Sequence, residues 1–91
     1  MASKKGLKKT INNICTDIFA ETVAASLYSG QPHNDNVDSL LKSILRTRED
    51  FVSRISHPEP GMAPKKYYDH LANDFTEHIM EIIDHIGNLS A

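Results

Sequence analysis

Apolar residues return every three or four positions through almost the whole of this chain. The rhythm breaks at only two places, Ser29-Gly30-Gln31-Pro32 and His57-Pro58-Glu59-Pro60-Gly61. No segment alternates with period two, so helices rather than strands must supply the core. The first stripe holds Leu7, Ile11, Ile14, Ile18 and Ala25, with Cys15 and Phe19 widening one edge. Ser3 can cap its start, Gly30 its end, and Pro32 lies just beyond. The second stripe follows His33-Asn34-Asp35-Asn36, where Asn34, Asp35 or Asn36 can cap. It runs through Val37, Leu40, Leu41, Ile44, Leu45, Phe51, Val52 and Ile55. Pro58 disfavours helical geometry at His57 and so ends this helix near Ser56. Pro64 suits a first helical turn. A third stripe then takes Tyr68, Leu71, Ala72, Phe75, Ile79, Ile82, Ile83, Ile86 and Leu89, with Gly87-Asn88 marking its end. Helices over 4–28, 35–56 and 64–87 with short connections predict an all-α, antiparallel up-down-up three-helix bundle. At 91 residues the chain is a single domain.

The segment His57–Tyr68, "HPEPGMAPKKYY", holds three of the four prolines and is the nearest thing to a motif. Its proline spacing lacks the PxxP pattern of a polyproline ligand. Pro58 stops a helix, Pro60-Gly61 turns the chain, Pro64 starts the next helix, and Met62 is placed to cover the end of the core. The segment is therefore a turn. "SKKGLKKTINNIC" (Ser3–Cys15) and "SHPEPGMAPKKY" (Ser56–Tyr67) resemble segments of a small group of uncharacterised all-helical bacterial proteins. That resemblance implies a helical bacterial domain and brings no activity or site residue with it.

Composition narrows the function. With 40% apolar and 24% charged residues the chain has the make-up of a globular domain. No apolar run reaches membrane-spanning length, and the lysines of the opening are not followed by the apolar stretch of a secretory signal. The single cysteine, Cys15, cannot form an internal disulfide and suits a reducing compartment, so a cytoplasmic location is expected. No phosphate-binding glycine loop and no serine–histidine–acid pattern is present. Cys15 has no base within a helical turn to activate it. These features predict neither catalytic residues nor a cofactor.

Four constellations remain. His70, Asp74, His78, Glu81 and His85 share helix 3, with several pairs at i,i+4 spacing that could offer a divalent metal two ligands at a time. The set lacks a complete ligand motif and lies on the flank of the apolar stripe, where helix-surface pairing is the plainer account. Arg48 falls inside the second stripe and needs either a route to solvent or an acid; Asp17 and Asp74 lie at the right height to form a partly buried ion pair. Phe19, Val23 and Leu27 form a second apolar row on helix 1, either a wide core stripe or an exposed contact surface suited to weak homodimerisation.

The fourth constellation is charge. An up-down-up bundle gathers Lys4, Lys5, Lys8, Lys9, Arg54, Lys65 and Lys66 at one end. It gathers Asp17, Glu21, Asp35, Asp38, Glu77, Glu81 and Asp84 towards the other. The net charge of −2 argues against a dedicated nucleic-acid binder without eliminating one. The sequence thus predicts a non-catalytic helical module acting through protein contacts. Its competitors are a nucleic-acid or acidic-partner binder using the basic end and, behind it, a metal-binding helix 3.

Overall fold

The computed structural model describes residues 4–28, Gly30 and residues 35–89, with the side chain of Leu89 outside that set. Three helices follow one another: α1 (Lys4–Tyr28), α2 (Asp35–Ser56) and α3 (Pro64–Leu89). They run up, down and up in a rod of 49 × 18 × 18 Å, with α1 packed most extensively on α2. No described helix is long and apolar enough to cross a membrane. The proposed caps Ser3 and Asn34, the proline brake Pro32 and the preceding Ser29 lie outside the described residues.

The core follows the centres of the stripes on α2 and α3, while Leu45, Ala72 and Ile83 of those stripes are exposed. Leu40, Ile44, Phe51 and Ile55 of α2 meet Leu71, Phe75, Ile79 and Ile82 of α3, with Ile11, Cys15 and Ile18 of α1 closing the third side. On α1 the buried line departs from the predicted one. It continues not through Ala25 but through Thr22 and Ser26, which are 0% and 3% exposed. The physical reason lies in their hydroxyls. Thr22 Oγ1 donates to the Ile18 carbonyl at 2.8 Å, and Ser26 Oγ donates to the Val23 carbonyl at 2.7 Å. Both can therefore be buried without stranding a polar group, and their small size suits close helix approach.

The prolines and the glycine between α2 and α3 act as expected, Met62 is not among the residues packed on the core, and the tyrosines that follow do more. Pro60 and Gly61 occupy the central positions of a turn in which Met62 N donates to the Glu59 carbonyl at 3.4 Å. Gly61 has φ 88°, the left-handed value that the third residue of a type II turn requires. Pro64 opens α3 with Ala63 as its cap, since Tyr67 N donates to the Ala63 carbonyl at 2.9 Å. The Tyr67 hydroxyl then reaches back to the Arg54 carbonyl at 2.8 Å, and the Tyr68 hydroxyl to the Ile55 carbonyl at 3.2 Å. These are carbonyls of the last turn of α2, which has no helical donors of its own.

One boundary moves. α3 passes through Gly87-Asn88 to Leu89, because a glycine inside a final turn costs only ~1 kcal/mol against alanine, less than is needed to stop a helix.

Candidate functional site

α1 and α2 enclose a surface groove on the side away from α3. α1 contributes residues of the 8-12-15-19 row and α2 those of the 45-48-52 row, each at the i,i+3 or i,i+4 spacing that aligns side chains on one helix face. At the basic end the groove opens to about 430 Å³ between Lys8, Lys9 and Asn12 on one wall and Arg48, Glu49 and Val52 on the other. Towards mid-rod it narrows to about 170 Å³ between Cys15, Thr16 and Phe19 and, opposite, Ile44, Leu45 and Arg48. Arg48 lines both sections, so a cationic stretch passes directly into an apolar one.

This geometry corrects the expected ion pair. Arg48 Nη1 donates to Asn12 Oδ1 at 3.1 Å, and neither Asp17 nor Asp74 is its partner. Asp17 is two residues beyond Cys15 and so projects from the far side of α1; it is exposed. Asp74 lies 3.7 Å from Arg54 instead. Arg54 and Arg48 are six residues apart on α2 and point to different neighbours, one to α3 and one to α1. The guanidinium of Arg48 is thus held beside the groove by a neutral amide, with its charge uncancelled by a carboxylate.

Arg54 also leaves the basic binding end. Its guanidinium carbon sits 4.7 Å from the centre of the Phe51 ring, and its nitrogens reach Asp50 at 3.0 Å as well as Asp74. It is a clamp over the core. Lys4, Lys5, Lys9, Lys65 and Lys66 stay exposed and Lys8 is half-buried. Their placement does not serve the helices, because α1 and α3 carry no acid in the first turn and no base in the last. Only α2, with Asp35 and Asp38 at its start and Arg54 at its end, follows the helix dipole.

The row Phe19, Val23, Leu27 climbs out of the core as it proceeds. Phe19 packs against the core, Val23 is 36% exposed and Leu27 64% exposed. Leu45, which the sequence placed in a core stripe, is 44% exposed across the groove from Phe19. Burial of Thr22 and Ser26 is what turns α1 so that Val23 and Leu27 face outward. Apolar periodicity alone could not have revealed that; the signal was a pair of small hydroxyl residues at i,i+4.

On the opposite side, His78, Glu81 and His85 line a cleft between α2 and α3. Among the described residues, no three histidine, cysteine, aspartate or glutamate side chains converge where a metal could sit. His78 is engaged in the fold. Its Nδ1 donates to the Asp74 carbonyl at 2.9 Å, and its ring meets Phe51 edge-on at 5.3 Å. Within the helix-3 row, His78 and Asp74 thus take part in the fold, while His70, Glu81 and His85 are exposed.

Cys15 forms the floor of the narrow section and is 2% exposed. Burial pushes its thiol pKa up, partly countered by the charge of Arg48. A thiol whose pKa is raised on folding keeps its proton where the unfolded chain would lose it. Its contribution to stability is complete below the unfolded thiol pKa, roughly 8.5, and is lost as pH rises from there towards the folded value. Urea titrations across that range should show the wild type losing stability more steeply with pH than Cys15→Ala. Identical slopes would contradict the assignment.

No protein-family model, no curated protein and no solved structure was found to match this chain.

Proposed function

We propose that this protein is a non-catalytic interaction module whose α1/α2 groove receives an acidic, amphipathic helical segment. The observation that carries this reading is the junction at Arg48, where an open apolar cleft walled by Phe19 and Leu45 runs into a cationic one holding Lys8 and Lys9. A helix with an apolar stripe and acids one turn away matches both sections at once. Leu45 and Val23, left exposed by folding, would be covered by it, and Arg48 and Lys9 would meet its carboxylates.

A second reading rests on a different observation. Lys4, Lys5, Lys9, Lys65 and Lys66 are all exposed at the same end of the rod, a surface suited to an acidic or phosphate-rich partner, nucleic acid included. Affinity capture with three forms of the protein separates the two. A groove occupant should bind at least roughly tenfold more weakly to Leu45→Glu, since a charge in an apolar pocket removes a central contact. A partner of the end surface should ignore Leu45→Glu and be released by Lys5→Glu/Lys9→Glu/Lys66→Glu and by salt. Binding indifferent to both variants would dismiss both readings.

A further inference from the structure

We infer that the groove's occupant is the C-terminal half of α3 from a second copy of this chain, so that copies associate through two different faces, groove to ridge. This rests on the groove reading above and names its partner.

The ridge is a second feature that folding leaves unexplained. On α3, Met80 is 65% exposed and Ile83 52% exposed. Their i,i+3 spacing makes them neighbours on one outer face. Glu77 and Asp84, both exposed, stand one turn before and one turn after Met80. Asp84, five residues from the end of α3, opposes the helix dipole, and no base in the last turn offsets it; Glu77 lies at mid-helix. An apolar pair bracketed by acids is the complement of an apolar cleft that opens onto cations.

The registers agree. In the groove, the step from Leu45 to Arg48 is three residues, an axial rise of about 4.5 Å. On the ridge, Met80 to Glu77 is also three residues, and Met80 to Asp84 is four, about 6 Å. With Met80 seated against Phe19 and Leu45, an acid comes level with Arg48 whichever way the ridge runs. One contact thereby covers both exposed apolar surfaces and gives Arg48 a carboxylate partner. Because groove and ridge are different surfaces, the contact is heterologous. It either closes on itself in a small assembly or adds copies in series.

Analytical ultracentrifugation of the full chain from micromolar to millimolar concentration tests this. Wild type should gain mass with concentration and lose it again as salt rises. Leu45→Glu, with a spoiled groove, and Met80→Glu, with a spoiled ridge, should each stay monomeric. Both sites are substantially exposed, so the variants should melt as the wild type does; Lys9→Glu on the groove and Glu77→Lys/Asp84→Lys on the ridge, all at exposed positions, repeat the test with charge alone. The decisive arm is the mixture. One partner keeps an intact ridge and the other an intact groove, so equal amounts of Leu45→Glu and Met80→Glu should form a one-to-one dimer. If Leu45→Glu is monomeric but Met80→Glu associates like wild type, the groove meets another groove and the inference falls while the groove reading stands. A wild type that stays monomeric at millimolar concentration overturns the inference alone, leaving the groove to a partner protein. Association that survives both substitutions runs through other surfaces and overturns the inference, again leaving the groove reading to the capture experiment above.

Discussion

Replacing Phe51 by alanine should cost about 3–5 kcal/mol of unfolding free energy, the largest effect of any single truncation in this chain. Phe51 is 0% exposed and every side of its ring is occupied. Phe75 meets it edge-on at 5.2 Å, His78 does so at 5.3 Å, and the Arg54 guanidinium lies 4.7 Å from its centre. The truncation leaves a cavity between helices that are long and rod-like, where collapse would require α2 and α3 to shift as units. It also removes the surface on which Arg54 rests. The ion pairs of Arg54 cannot make up the difference, because both partners are about half exposed and such pairs contribute ~0–1 kcal/mol. A domain of this length has a total stability of only about 5–14 kcal/mol, so the variant should approach half-unfolding in mild urea. Helical circular dichroism followed through a urea titration provides the measurement. A loss below about 1 kcal/mol would mean that the α2–α3 contact does not depend on this ring.

The helices were legible because the features that make and break them are local. Pro58, Pro60-Gly61 and Pro64 act through their own backbone dihedrals, so the end of α2 and the start of α3 could be placed to the residue. Gly87 misled because glycine permits a helix end without forcing one, and α3 continues past it. The buried line of α1 was hidden for another reason. Thr22 and Ser26 are polar by type, and their burial depends on hydroxyls turned back to their own helix's carbonyls, which an apolar count does not register.

The site was legible only in part, and the two arginines show why. Both sit on α2, and sequence placed Arg48 beside acids and Arg54 at the binding end. The helix rotation between them sends Arg54 to Asp74 on α3 and Arg48 to Asn12 on α1, so their roles are exchanged. Height along a bundle can be estimated from sequence; the direction a flanking side chain takes around the helix depends on which neighbour packs closest. Phe19, Val23 and Leu27 were visible as a surplus apolar row. The facing wall at Leu45 was not, because it needs the α1–α2 approach to be known.

The second large effect should come from two hydroxyl groups. Tyr67→Phe with Tyr68→Phe should lower stability by about 1–3 kcal/mol, although it removes only two oxygen atoms and preserves both rings. The final carbonyls of α2 have no helical partners, and the chain supplies them from the turn. His57 N donates to the Ser53 carbonyl at 3.1 Å and to that of Arg54 at 3.3 Å. The Tyr67 hydroxyl reaches the Arg54 carbonyl at 2.8 Å and the His57 carbonyl at 3.3 Å, and the Tyr68 hydroxyl reaches that of Ile55. The rings stand nearly perpendicular, 5.3 Å apart, so phenylalanine can keep that contact while the Ile55 and His57 carbonyls lose these bonds and the Arg54 carbonyl keeps only its 3.3 Å bond from His57 N. Tyr67 and Tyr68 are half-buried, and water can replace some of the lost bonds, which places the effect below that of Phe51→Ala. The two rings touch and their hydroxyls hold adjacent carbonyls, so the single variants should not sum simply to the double. Amide exchange should quicken first at residues 56–63, where the turn and the last residue of α2 lose their anchor. A double variant as stable as wild type would mean that solvent satisfies those carbonyls equally well. Arg54 links this cap to the core, since its carbonyl is held by Tyr67 while its side chain lies over Phe51. Loosening the cap should therefore weaken the contact between α2 and α3 well beyond the turn itself.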